Sequence, residues 1–245
     1  MYNYKMTIQY DGVRYKGWQR LGGGEQTIQG KLEQILAEAA GHPVEVIGSG
    51  RTDAGVHALG QVANVKLREP WSETKLRNVL NHQLPPDISV LSVERVDEDF
   101  HARFDAKEKT YLYKIWNEDH SHPFMRRYSM HVKKKLDIAE MRRAARHFLG
   151  EHDFTAYSNA KANKKKTVRT IYSLDIGTQD GFIEIRVRGD GFLYNMVRKI
   201  VGTLIEVGMG EKRAEDVPAI IASRDRSLTG RMAEAYGLYL ESIGY

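Results

Sequence analysis

One rhythm runs twice along this chain, and it constrains the fold more than any other feature of the sequence. In the first half Met6, Ile8 and Tyr10 alternate with Lys5, Thr7 and Gln9, the period of a half-buried strand. Ile28, Leu32, Ile35, Leu36 and Ala39 then share one face of a helix that Gly41 can close. Short strands are expected over Val44 to Ile47 and Gln61 to Leu67. Leu76, Val79 and Leu80 mark a second helix, entered near Ser72 with Glu73 in its first turn, where the helix dipole favours an anion. Pro85-Pro86 breaks the chain before a strand from Ile88 to Val96.

The second half repeats the order. Thr110 to Trp116 reads as a strand, and Asp137 can cap a helix whose apolar face carries Ile138, Met141, Ala145 and Phe148. Val168 to Ile176 and Phe182 to Arg188 read as a hairpin turned by Thr178-Gln179-Asp180-Gly181. Val197, Ile200, Val201, Leu204 and Ile205 form another helical stripe, and a last strand is expected over Gly237 to Ser242. Two β-α-β-β-α-β units predict an α+β fold. The expectation is two tandem ferredoxin-like subdomains, 1–105 and 106–245, whose antiparallel sheets join around a central cleft. Helices should cover one sheet face, leaving the face with Arg186 and Arg188 polar and lining the cleft.

Charge and cysteine content narrow the chemistry. Lys and Arg total 37 against 32 for Asp and Glu, and the resulting net +5 permits a polyanionic partner without requiring one. The absence of cysteine removes disulfides, thiol nucleophiles, thiolate zinc sites and iron–sulfur ligation together. The N-terminus lacks the apolar core of a signal peptide, and no stretch has the apolar length of a membrane span, so a cytoplasmic protein is expected.

The most informative stretch runs Gly48-Ser49-Gly50-Arg51-Thr52-Asp53-Ala54-Gly55-Val56-His57-Ala58-Leu59-Gly60-Gln61. Glycines at 48, 50, 55 and 60 make a backbone that other atoms can approach closely. Between them sit a cation, a hydroxyl and a carboxylate, with His57 the one further titratable group. Such a loop can hold Asp53 at the edge of a cleft, although an Asp-Ala-Gly sequence is commonly no more than a turn.

This stretch resembles the first motif of the TruA family of pseudouridine synthases. Phe100-His101-Ala102-Arg103-Phe104-Asp105 with Lys109-Thr110-Tyr111-Leu112-Tyr113 is similar to the family's second motif, and the run from Gly191 to Thr203 to its third. The resemblance implies that Asp53 is the catalytic carboxylate and that Tyr111 and Arg198 are the active-site tyrosine and arginine. It also implies a substrate, tRNA with target uridines at positions 38, 39 and 40 of the anticodon arm, and a homodimer. Glu234 stands where the family more often has proline, which puts the local backbone in question.

Making pseudouridine breaks the N-glycosidic bond of uridine, rotates the uracil and rejoins it through C5. Nothing is oxidised and no group enters or leaves, so no nucleotide cofactor or metal is required. Asp53 must be ionised to attack, and a nearby Arg198 is expected to favour the anion. Tyr111 offers a flat ring for the uracil, with Tyr113 on the same strand face as a second candidate. A uridine stacked in a stem has to be flipped out, and Arg51 is placed to occupy the vacated stack or to hold the flipped backbone.

Lys133-Lys134-Lys135, Arg126-Arg127, and Lys161 with Lys164-Lys165-Lys166 and Arg169 are the dense basic runs, commonly just solvated faces but candidate phosphate contacts in an RNA enzyme. His120 and His122 lack a third ligand at zinc spacing and read as a loop feature, while His57 is expected to orient the catalytic loop rather than act as a base. Two other classes compete. A module that grips structured RNA without chemistry gains nothing from a carboxylate near phosphates, and a hydrolase lacks a second carboxylate in the Asp53 loop.

Overall fold

The computed structural model describes residues 1–159 and 167–245. In chain order the elements are β1 (Tyr2–Tyr10), α1 (Ile28–Ala40), β2 (Val46–Gly48), β3 (His57–Leu67), α2 (Glu73–Gln83), β4 (Ile88–Val96) and β5 (Glu108–Trp116). They continue with β6 (Met130–His131), α3 (Ile138–Arg146), β7 (Gly150–Asp153), β8 (Val168–Gln179), β9 (Phe182–Gly189), α4 (Met196–Gly208), α5 (Val217–Ser223) and β10 (Leu238–Gly244). The chain divides into one unit of Met1–Lys107 with Tyr239–Tyr245 and a second of Glu108–Leu238. The C-terminal strand thus returns to the first unit, which the linear reading of the sequence does not anticipate.

Helix entry follows the side-chain chemistry of the caps. Thr27, Ser72 and Asp137 each accept the backbone N–H three residues on, satisfying one of the donors that a helix start leaves unpaired. Gly41 ends α1 at φ 72°, a left-handed conformation that glycine adopts without a Cβ clash.

In the first unit β4, β1 and β3 pair antiparallel in that order. Strand β2 adds antiparallel to one stretch of β3 and β10 parallel to another, at Tyr239 opposite His57. One sheet face is apolar: Tyr4 and Met6 of β1 stand opposite Val65 and Ala63 of β3, and all four are sealed from solvent. Leu32 and Leu36 of α1 and Leu76 and Leu80 of α2 are equally inaccessible. The other face buries two amides. Asn64 Nδ2 donates to Asn3 Oδ1 at 3.0 Å, and Asn3 Nδ2 donates to the carbonyls of Asp97 and Phe100, each at 2.9 Å. A polar group taken out of water needs such partners, so this pair fixes the segment that follows β4 onto the sheet.

In the second unit β5, β9, β8 and β7 pair antiparallel, with β6 parallel to β5. Asp180 at φ 49° and Gly181 at φ 81° form the two-residue turn between β8 and β9, as the Asp-Gly pair predicts. Tyr111, Tyr113 and Ile115 of β5 stand opposite Val187, Ile185 and Ile183 of β9, and all six are buried. Helix α3 packs on α4 and on β8. Strand alternation puts Arg186 and Arg188, opposite Leu112 and Thr110, on the reverse face. The polar face expected to line the cleft is therefore not the face that presents Tyr111.

Helix α4 departs from a simple amphipathic stripe. Of its thirteen residues only Arg198 and Glu206 are not buried. A helix apolar nearly all round belongs inside its unit, and Arg198 marks one of two breaks in that enclosure.

Candidate active site

Asp53 lies in a tight turn between β2 and β3, half-buried, with Thr52 buried before it and Arg51 and Ala54 exposed on either side. Val56 N–H donates to the Asp53 carbonyl at 3.1 Å, closing the turn. Strand β3 begins at His57, four residues before the expected Gln61, so the flexible stretch of the motif is confined to residues ahead of it.

The turn is clamped from outside by the segment after β1. Trp18 N–H donates to the Thr52 carbonyl at 3.0 Å. Gly17, at φ 94°, lies so close that a Cβ there would sit 2.4 Å from the same carbonyl. A Cβ on Gly12 would fall 2.0 Å from the Val56 carbonyl. Both positions need the absence of a side chain, because the obstacle is backbone. Gly12 N–H in turn donates to His57 Nδ1 at 3.1 Å. The same nitrogen lies 3.2 Å from Asp11 Oδ1. The His57 ring stacks on Tyr239 at 4.7 Å. His57 thus braces the loop.

From the sheet side Thr52 Oγ1 shares a 2.8 Å hydrogen bond with the Tyr10 hydroxyl, and Gln61 Nε2 donates to the Gly50 carbonyl at 3.0 Å. Burial pushes the Tyr10 phenol up to about 12, and its bonds to Thr52 and Gln61 only partly offset that. It stays a neutral partner at physiological pH. The result is a carboxylate on a turn whose backbone is held before, after and beneath it.

In the second unit Tyr111 is buried on β5, its ring edge-on to Phe192 at 5.2 Å. Arg198 occupies the first turn of α4. Its Nε donates to the Ala233 carbonyl at 2.7 Å and its Nη1 lies 3.5 Å from Asn195 Oδ1. A cation beside a helix N-terminus opposes the dipole, at a cost of about 0.3–1 kcal/mol in exposed settings. That placement adds nothing to the stability of α4 itself.

Tyr113 is excluded as the second candidate. Its ring is sealed, its hydroxyl donates to the Glu234 carbonyl at 2.8 Å, and burial holds the phenol well above its ordinary range. Glu234 itself has φ −61°, the value a proline ring imposes, so the departure from the family pattern leaves the backbone in proline geometry. His120 and His122 pack edge-on to Trp116 at 5.6 and 4.8 Å. Among the described residues no cluster of three or more His, Cys, Asp or Glu could hold a metal, and no helix is long and apolar enough to cross a membrane.

Of the basic runs, Lys161 and Lys164, Lys165 and Lys166 lie outside the described residues. Lys133, Lys134, Lys135, Arg126 and Arg127 are exposed. Lys134 Nζ donates to the Met209 carbonyl at 2.6 Å, and Lys135 lies 3.6 Å from Glu118. Sequence reasoning did not find the Gly12–Trp18 clamp or the Ala233 carbonyl. The two glycines, Asp11-Gly12 and Lys16-Gly17, were the available signal for the first.

A glycine-clamped carboxylate in one unit and a buried tyrosine with a helix-end arginine in the other match the motifs of one enzyme class. The family model described as tRNA pseudouridine synthase matches residues 6–105 and 144–245, and the chain belongs to that family. It is an isomerase that converts uridine to pseudouridine in tRNA. Among its relatives, the chain is 63% identical over 245 residues to tRNA pseudouridine synthase A of Bacillus sp. (strain KSM-64), with 100% of both chains covered. It is 57% identical to tRNA pseudouridine synthase A 2 of Bacillus cereus (strain ATCC 14579) and 45% identical to tRNA pseudouridine synthase A of Acetivibrio thermocellus, again with 100% of both chains covered.

Proposed function

We propose that Asp53 is the carboxylate that attacks the target uridine, that Tyr111 stacks on its uracil, and that Arg198 supplies the cation for the anionic centre. The targets are uridines 38, 39 and 40 of the tRNA anticodon arm, and the working form is a cytoplasmic homodimer. The observation that carries this reading is the clamped turn. A nucleophile is effective when its approach is fixed before substrate arrives, and the Asp53 backbone is pinned by Trp18, Gly12 and Gln61 together.

The chain's own groups supply the attack, the stacking surface and the occupant of the vacated stack. The N1–C1′ bond of uridine breaks, the freed uracil turns, a C5–C1′ bond forms, the bond made by the attacking carboxylate is released, and the proton lost at C5 is balanced by one gained at N1. Asp53 supplies the attacking oxygen and needs no cofactor to do so. Tyr111 presents a ring that Phe192 already orients, and stacking of a base on an aromatic side chain is worth about 1–3 kcal/mol. Arg51, exposed two residues before Asp53, takes the place of the extruded base in the stem. The framework is read as two tandem ferredoxin-like subdomains. The 4-1-3-2 order of β4, β1, β3 and β2 in the first unit supports this, as does the 1-3-2 order of β5, β9 and β8 in the second.

The test uses tRNA tritiated at uracil C5, in EDTA. Wild-type protein releases label, whereas Asp53→Asn releases essentially none and still binds tRNA. Wild-type turnover in Asp53→Asn refutes the assignment. Arg51→Ala is expected to weaken both tRNA affinity and turnover; if neither changes, its role in base extrusion is wrong.

A further inference from the structure

The second motif contributes Tyr111 to the reaction, but its first part, Phe100 to Asp105, has no role in the chemistry above. Its geometry is unusual for a loop. Phe104 is 76% exposed although Ala102, two residues earlier, is fully buried. The turn between them is tightly tied. Ala102 N–H donates to Asn64 Oδ1 at 2.9 Å, and the Ala102 carbonyl accepts from the Tyr245 hydroxyl at 2.7 Å. His101 N–H donates to Asp105 Oδ2 at 2.8 Å, and the N–H groups of Phe104 and Asp105 both donate to the His101 carbonyl at 3.1 Å.

The Phe104 ring is also buttressed on its side. The His101 ring lies 4.2 Å from it at 33°, and the Arg103 guanidinium 5.8 Å from its centroid. His101 Nδ1 accepts from the amides of Arg103 and Phe104 at 3.2 and 3.3 Å, which fixes the imidazole in place. An apolar ring left this exposed gains little from burial in its own unit. Its immediate neighbours Arg103 and Asp105 are exposed and charged, a setting that suits a base of a polyanion better than an apolar protein face. Arg103 adds a cation for phosphate, while the Asp105 carboxylate is turned back onto the His101 amide.

We infer that Phe104 is a stacking platform for an unpaired nucleobase of the tRNA substrate, with His101 as its brace and Arg103 as the adjoining phosphate contact. A flat, pre-oriented ring gains affinity from any base, because every base has a π-face, and it loses little entropy on binding. The inference rests on tRNA being the substrate. It leaves Asp53 and the chemistry untouched.

Four variants test it: Phe104→Ala, Phe104→Leu, Phe104→Trp and Arg103→Ala. Each is assayed for tRNA affinity by filter binding across a salt series, for KM and kcat by C5 tritium release, and for oligomeric state by sedimentation. Losing the stack weakens affinity roughly 10-fold in Phe104→Ala and in Phe104→Leu, and the loss appears in KM. Phe104→Trp restores it. Arg103→Ala lowers the magnitude of the log-affinity against log-salt slope by roughly 0.7–0.9, whereas Phe104→Ala leaves the slope alone. Unchanged affinity in Phe104→Ala overturns the inference. So does full activity in Phe104→Leu, or a change of oligomeric state in Phe104→Ala, since both point to a protein contact. Failure of wild-type protein to release tritium would instead strike the isomerase reading.

Discussion

The Asp53 turn of the first unit and the 230–237 segment of the second are both loops pinned from several sides, but by different parts of the chain. Around Asp53, Gly12 and Gly17 close main chain against main chain on the carbonyls of Val56 and Thr52, beside the side-chain bonds of Tyr10, Gln61 and His57. Around the second segment main chain also meets main chain, with Ala233 N–H donating to the Arg198 carbonyl at 3.1 Å and Gly202 backed against the Arg231 carbonyl, and side chains reach the backbone as well. Arg198 Nε reaches Ala233, Tyr113 reaches Glu234, and Thr203 Oγ1 accepts the N–H of Gly230. A main-chain clamp leaves no room for substitution at its contacts. A side-chain clamp can lose one tether and keep the rest. Both loops carry contacts of the first kind, and at the Asp53 turn Gly17 is the position that tests it.

The sharpest way to break this contrast is Gly17→Ala. It places a Cβ against backbone and forces an alanine into a left-handed conformation, and the two costs together come to about 3 kcal/mol. Displacing the Thr52–Asp53 backbone should also lower kcat about 100-fold. Denaturant unfolding and tritium release measure the two effects, and wild-type stability in this variant would show that the clamp is not tight. A middle-sized test sets two tyrosines against each other. Tyr113→Phe removes one buried hydrogen bond and should lower stability by about 1 kcal/mol with little change in turnover. Tyr111→Phe should lower turnover more than stability. If the two variants behave alike, the division between a structural and a substrate-facing tyrosine on β5 fails. The smallest effect is expected from Glu234→Pro. Because φ is already −61°, the substitution should stabilise by about 0.4–1 kcal/mol, read as a rise in Tm.

Elements whose ends carry a chemical signal were legible in the sequence. Ser72 and Asp137 are caps, and Asp180-Gly181 is a turn, because each satisfies backbone geometry locally. Strand β7 was missed: Gly150–Asp153 is short and polar with no buried position, so it lacks the alternation that marks a strand. The early start of β3 was missed because Ala58 and Gly60 have low strand propensity, and their pairing is set by tertiary neighbours. Nothing in the sequence marked Asn3 and Asn64 as buried. Only a second segment folded over that face makes them buried partners. Asp53 stood out through its long, unusual motif. Phe104 did not, since a lone phenylalanine in a sequence is taken for core.

The return of Tyr239–Tyr245 to the first unit has a consequence for how the protein is made. Strand β10 supplies the parallel neighbour of β3 at His57 and Ala58, the Tyr239 ring that packs on His57, and the Tyr245 hydroxyl that fastens Ala102. On the ribosome these residues emerge only after the whole second unit has been synthesised. The unit that begins first is therefore completed last, and that stretch of β3 keeps an open edge during translation, when strand edges are most prone to wrong pairing.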